Sequence, residues 1–344
     1  MNKDSQAIQA SGRVYLLLAI LIFGAANAIT RKLTELGAQH LIDGRNPISF
    51  CNVLFVGNLC ALILLGIIYH RQWQIDALKQ ITWKNWLTLS VVAILGAVVV
   101  PTLIFTALSL TKVNNVVLIG QIDTPLVLAL SIWLLRERVN SWIVAGAVVS
   151  FIGVVLTVIL QPPEGNMVRM EMGMEIGLGE LLTLIAAVFE AIANLISKVS
   201  LQQIPLGIFS SFRMLVGTVV FFLLANSLYG PEHFMDLTSP FLWQWMLVYS
   251  AVIVVGGQLL WFSGLSRSTA GEVSLATAFN PIAGILAAYF LLGEVPNGAQ
   301  YIGGGVILGG IMLNQIGVQR LSKTVSARQP SDKEMSEAIG FKGI

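Results

Sequence analysis

Apolar residues along this chain come in long runs of about twenty, separated by short polar stretches. A run of that length, wound as a helix rising 1.5 Å per residue, matches the ~30 Å hydrocarbon core of a bilayer. The runs predict helical spans over 13–35, 47–69, 85–109, 112–135 and 139–160. After a polar connection at 161–177 they predict five more, over 178–200, 206–228, 244–266, 269–292 and 297–317. The expected architecture is an all-α polytopic membrane protein. Its layout is an N-terminal tail (1–12), a five-helix unit (13–160), a connecting loop (161–177), a second five-helix unit (178–317) and a disordered C-terminal tail (318–344).

Composition supports that reading. The chain is 56% hydrophobic and 11% charged, against roughly 25% charged in a soluble domain. Its solvent is therefore lipid, and the bilayer is its first partner. A net charge of +2 gives no pull toward nucleic acid. The two cysteines, Cys51 and Cys60, fall in one apolar run and make neither a disulfide framework nor a metal site.

Basic residues orient the chain. With both termini cytoplasmic, fourteen Lys and Arg lie in cytoplasmic segments, against five (Arg31, Lys32, Arg45, Lys112, Arg169) on the other side. That bias is the positive-inside pattern and points to the cell's plasma membrane. A cleaved leader ending at Ala26-Asn27-Ala28 is the competing reading of the first run. It fails because the same segment returns later in the chain.

That return is an internal repeat. A shift of 167 residues carries Gly12 onto Gly179, Asn27 onto Asn194 and Arg31 onto Lys198. A shift of 157 carries Phe105-Thr-Ala-Leu-Ser109 onto Phe262-Ser-Gly-Leu-Ser266, Glu137 onto Glu294, Gly146 onto Gly303 and Gly153 onto Gly310. Each unit holds an odd number of spans, so the second enters the membrane in the opposite direction. Inverted repeats of this kind build many secondary transporters, whose sites lie near mid-membrane.

The residues also carry a resemblance. Ile22-Phe-Gly-Ala-Ala-Asn-Ala-Ile-Thr-Arg-Lys32 is similar to the first helix of the EamA-type drug/metabolite transporter superfamily, and so is Phe212-Arg-Met-Leu215 in the seventh span. Ala107 to Val117, Asp123-Thr-Pro125 and Leu134 to Val139 resemble that family's fourth helix and following turn. Gly264 to Ser274, Phe279-Asn-Pro281 and Leu291 to Val295 repeat the pattern. The resemblance covers about 12–317 and implies a ten-helix carrier of small metabolites, commonly an exporter, with a cavity walled by both repeats.

Polar residues inside apolar runs are the candidate site, since a buried charge in lipid is costly and usually faces a cavity or a partner. Glu190, Asn194 and Lys198 follow at i, i+4 and i+8 and share one helix face. Asp123 and Gln121 sit mid-run beside Pro125, whose missing N–H leaves the Gln121 carbonyl free. Asn280 beside Pro281 is the matching position. Asn27, Arg213, Gln258 and Trp261 complete the substrate or ion set. The structural alternatives are a Glu190–Arg213 ion pair, Asn27 and Asn194 as inter-helix bonds, and Trp261 as a packed ring. Glu137 and Glu294 are expected to charge the helix that follows each of them. Gly305-xxx-Gly309 and Gly284-xxx-Ala288 are expected to be close-packing seams.

No phosphate loop, zinc-protease motif or nucleophile elbow is present, so no catalytic residue, cofactor or metal is expected. The expected function is a secondary transporter, exporting a small metabolite, amino acid or drug-like solute by alternating access with possible proton coupling, as monomer or homodimer. The competing readings are an intramembrane enzyme on a lipid-linked substrate and a non-transporting scaffold.

Overall fold

The computed structural model describes residues 3–42, 44, 46–73, 78–79, 81–135, 139–160, 167–169, 175–200, 203–229, 239–265, 267–268 and 270–327. The chain folds as an all-α polytopic membrane protein. Eight of its helical stretches are long and apolar enough to cross a bilayer, and Asn52–Ile68 and Asn280–Leu292 are shorter apolar helices. Only 28–50% of each of the eight apolar windows is buried inside the protein. Much of the remainder is large aliphatic and aromatic surface, which suits lipid.

The helices are α1 (Lys3–Ala38), α2 (Phe50–Ile68), α3 (Trp83–Ile94), α4 (Val100–Leu110), α5 (Val113–Gly120), α6 (Asp123–Leu135) and α7 (Ser141–Ile159). A short antiparallel pair, β1 (Met167–Arg169) and β2 (Glu175–Gly177), crosses the polar connection. Then come α8 (Leu178–Ser200), α9 (Leu206–Tyr229), α10 (Pro240–Tyr249), α11 (Gly257–Leu265), α12 (Ala270–Thr277), α13 (Asn280–Leu292) and α14 (Gly298–Ala327). The last helix runs ten residues into the segment expected to be a disordered tail.

Caps explain several boundaries. Asn140 Oδ1 accepts from Trp142 N at 3.2 Å, and Ser239 Oγ accepts from Leu242 N at 3.5 Å with Pro240 opening α10. Gly293 ends α13 at φ 70°, a left-handed stop that glycine adopts freely.

Four interruptions were not all legible beforehand. The apolar run 112–135 breaks at Gln121-Ile122 into α5 and α6, and the run 269–292 breaks at Ala278-Phe279 into α12 and α13. Pro125 and Pro281 lie just beyond the breaks. Each break closes with tight i→i−3 bonds, such as Ile122 N to Ile119 O at 3.1 Å and Phe279 N to Ala276 O at 3.0 Å. The other two are π-helical turns, Leu95–Val99 between α3 and α4 and Ser250–Gly256 between α10 and α11. Such turns leave backbone groups in need of other partners.

Packing is densest between α7 and α14, and α1 packs on α11 and α13. The helix α8 packs on α4, α5 and α6, and α2 packs on α9. The α7–α14 seam is built from glycine. A Cβ on Gly146 would fall 2.6 Å from Gly310 O, and one on Gly153 would fall 2.8 Å from Gly303 O. The expected Gly305-xxx-Gly309 seam is corrected by the structure. Both glycines face open space with nothing within 4 Å, because the row Gly303, Gly310 and Gly317 is the face that meets α7. The Gly284 seam does pack closely: a Cβ there would lie 2.8 Å from Val117 Cγ1 and 3.2 Å from Gly24 O.

Candidate substrate cavity

The central cavity of about 660 Å³ lies within the range of small-molecule sites. Ile20, Phe23, Gly24 and Asn27 of α1 wall one side, and Thr183, Ala186, Ala187, Glu190 and Asn194 of α8 wall another. Val100 and Ile104 of α4, the α5–α6 break, Trp261 of α11 and the α12–α13 break close the rest. Both helix breaks therefore open onto the cavity.

Asp123 is the first residue of α6, where the helix dipole favours a carboxylate. Its Oδ1 accepts from Thr124 Oγ1 at 3.0 Å. Glu190 and Asn194, four residues apart on α8, both line the wall. The two carboxylates line the same cavity from different helices. Gln121 lines the wall but donates its amide to Val117 O at 3.3 Å. Asn280 also lines it, and its Oδ1 is buried without a partner among the described residues. Trp261 meets Phe23 edge-on, centroids 6.4 Å apart.

Seven of the expected residues (Asn27, Gln121, Asp123, Glu190, Asn194, Trp261 and Asn280) thus share one cavity. Gln258 and Arg213 are not on its wall. Gln258 donates to the Ser210 hydroxyl of α9. Arg213 donates from Nη2 to Gly96 O at 3.2 Å, serving the π-turn, and lies over the Phe209 ring at 5.7 Å. It acts on Glu190 through its field, but no ion pair joins them among the described residues. The Lys198 side chain lies outside the described residues, as does Glu137.

One end of the cavity is sealed. At Thr183 and Val116 the wall is 0% and 2% exposed. Beyond them, Glu180 Oε1 accepts from the Thr111 hydroxyl and, at 2.8 Å, from Asn115 Nδ2. Gln300 donates to Asn115 Oδ1. Glu294 was expected to charge the helix after it. Instead its carboxylate caps α5, accepting from Val113 N at 3.1 Å and Asn114 N at 3.2 Å, with Arg31 at 3.6 Å. The left-handed turn at Gly293 points it back across the bundle. At the other end Asn194, Thr124 and Thr277 are exposed. Sequence reasoning missed the seal. The Asn114-Asn115 pair inside an apolar run was its available signal.

Thr124, Thr183 and Thr277 are further wall residues that the sequence did not single out. Threonine returns its hydroxyl to its own helix in apolar runs, so it does not stand out there.

The EamA-like transporter family model matches the chain twice, over residues 10–159 and 177–315. The chain belongs to the EamA-like transporter family. It is thus a multi-pass integral membrane transporter of the drug/metabolite transporter superfamily, acting on a small molecule from within a lipid bilayer. It is 45% identical over 338 residues to a Synechocystis sp. protein named as an uncharacterized transporter, covering 98% of this chain and 96% of that one. It is 28% identical over 210 residues, 58% of this chain and 66% of the other, to a Salmonella typhimurium protein named "Probable amino-acid metabolite efflux pump". A solved structure titled "Crystal structure of protein" aligns with TM-score 0.58 at 18% identity, over 91% of this chain and 99% of that one. That likeness concerns the fold alone.

Proposed function

We propose that this EamA-family chain is a secondary carrier, exporting a small metabolite, amino acid or drug-like solute across the plasma membrane by alternating access with proton coupling. The observation that carries the reading is a polar cavity, holding Asp123 and Glu190, walled by helices from both family copies.

The carrier works as ten spans in two inverted five-helix repeats, with both termini cytoplasmic. The helix pairings support this. Exchanging the halves turns the α1 contacts with α11 and α13 into the α8 contacts with α4 and α6. Gly12 closes on Ser268, with a Cβ 2.6 Å from its Oγ, as Gly179 closes on Thr111, with a Cβ 2.8 Å from its Cβ. The shifts of 167 and 157 relate both partners (12 + 167 = 179; 111 + 157 = 268).

The same arithmetic relates two latches. Arg13 pairs with Glu272 at 2.6 Å, its side chain 62% exposed. Their counterparts are Glu180 and Asn115 (13 + 167 = 180; 272 − 157 = 115), which are 7% and 1% exposed. The buried latch closes the outer end and the solvated one marks the open, cytoplasmic end. Alternating access buries the cytoplasmic pair as the outer one becomes exposed. The efflux name of the Salmonella relative favours export.

The test is a thermal-shift screen of the purified chain against metabolite classes at two pH values, then uptake of the stabilising compound into proteoliposomes with and without a pH gradient. A ligand stabilises the folded state by mass action. Glu190→Gln and Asn194→Ala are expected to lose transport. If both, and Arg213→Ala, transport as the unaltered protein does, the site assignment is wrong.

A further inference from the structure

We infer that the cavity selects a cation, specifically a protonated amine carried on an apolar body. The inference rests on the carrier reading and adds the substrate class. Charge is the first argument. Among the described residues, the ionisable side chains lining the cavity are Asp123 and Glu190, both acids. Arg213 is not among the wall residues: its Nη2 donates to Gly96 O, its guanidinium lies over the Phe209 ring, and its Nε is buried without a hydrogen-bond partner among the described residues. Counted in full against Glu190, Arg213 still leaves Asp123 uncompensated, with the Thr124 hydroxyl as its side-chain partner.

An anionic solute would stand against like charge in a low-dielectric space, where repulsion is strong. A zwitterion would bring its own carboxylate into the same field with no base among the described wall residues. A monocation does neither. Its N–H groups also suit Asn280 Oδ1, a buried acceptor without a partner among the described residues.

The shape of the wall is the second and independent argument. Trp261 and Phe23 form an aromatic corner, and Val100, Ile104 and Val117 continue it as an apolar surface. Aromatic faces attract ammonium groups and bury an apolar body. Glu190 and Phe23 occupy matching positions in the two repeats (23 + 167 = 190). One copy therefore supplies the charge and the other the ring. A proton competes with the amine for the same carboxylates, which makes amine–proton exchange the natural coupling.

The experiment uses the full chain in detergent with 2-phenylethylamine, 2-phenylethanol, phenylacetate and phenylalanine as probes, read by thermal shift and equilibrium binding. The amine is expected to bind at least about tenfold tighter than each of the others, and more weakly as pH falls. Asp123→Asn, a size-matched change, is expected to weaken amine binding at least about tenfold while leaving the unliganded melting temperature unchanged. Glu190→Gln serves as the second variant should Asp123→Asn not fold. Phenylacetate or phenylalanine binding as tightly as the amine overturns the inference. So does no binding of any probe, or unchanged amine binding in a folded acid-to-amide variant. Proteoliposome flux separates the two readings. An amine that binds but does not cross contradicts the carrier reading alone, and preferred passage of phenylalanine contradicts the cation inference alone.

Discussion

Replacing Gly153 with alanine tests whether the α7–α14 seam supports the bundle. The new Cβ would sit 2.7 Å from Ile307 N and 2.8 Å from Gly303 O, both backbone atoms that no rotamer change can move. Ordinary contact begins at 3.4 Å, so the helices must part locally by about 0.7 Å (3.4 − 2.7). A gap of that size forfeits a quarter to a half of each van der Waals well, and about 50 atom pairs at ~0.15 kcal/mol then lose about 2–4 kcal/mol. Alanine's better helix propensity returns about 1 kcal/mol, leaving a net loss of about 1–3 kcal/mol, the usual cost of overpacking. The control lies on α14, the other helix of the pair. Gly305 has nothing within 4 Å of its Cβ position, so Gly305→Ala should be neutral or stabilising by up to about 1 kcal/mol. Reversible unfolding in mixed micelles, read by tryptophan fluorescence, measures both. Equal losses in the two variants would refute the seam, as would no loss in Gly153→Ala. The seam also touches function, because Leu118, Ile119 and Ile122 around the α5–α6 break pack on Val154 and Ile307. Loosening it should weaken ligand binding as well.

Three further outcomes are expected. Glu294→Ala uncaps α5 and leaves Val113 N and Asn114 N without their acceptor, which should cost about 1–3 kcal/mol in the same unfolding assay. Glu180→Ala removes the acceptor shared by Thr111 and Asn115, so amide exchange in α5 and the first turns of α8 should quicken while α14 beyond Gly310 stays protected. Arg213→Met removes the donor to Gly96 O. It should destabilise the protein by about 1–3 kcal/mol, and if amine binding survives, Arg213 is confirmed as support for the π-turn rather than a substrate ligand.

The membrane fold was legible because each apolar run is long enough to have one physical solution, a helix in lipid. The repeat was legible because Asn27 and Asn194 are rare residue types in such runs. Helix interiors were less so. Pro125 announced the break at Gln121, but nothing apolar distinguishes Leu95–Val99 from its neighbours, and its π-turn depends on Arg213 reaching in from α9. Gly305 and Gly303 look alike in sequence, and only the direction in which α14 meets α7 decides which glycine is crowded. Among the candidate site residues, Gln121, Asp123 and Asn280 reached the cavity because the helix breaks open onto it, and Asn194 because it shares a helix face with Glu190. Arg213 and Gln258 did not, because a side chain's neighbour across a bundle is set by helix rotation. Glu294 was misread for a related reason. Its cap lies on α5, 181 positions from Val113, and local sequence cannot reveal a partner that distant.

The account's central claim is that one cavity faces the two sides of the membrane in turn. It is tested most directly by a single cysteine at Ala187, mid-wall, in a chain with Cys51 and Cys60 replaced, labelled with a membrane-impermeant thiol reagent in right-side-out and inverted vesicles. The account predicts labelling from both sides. Labelling from one side only would contradict it.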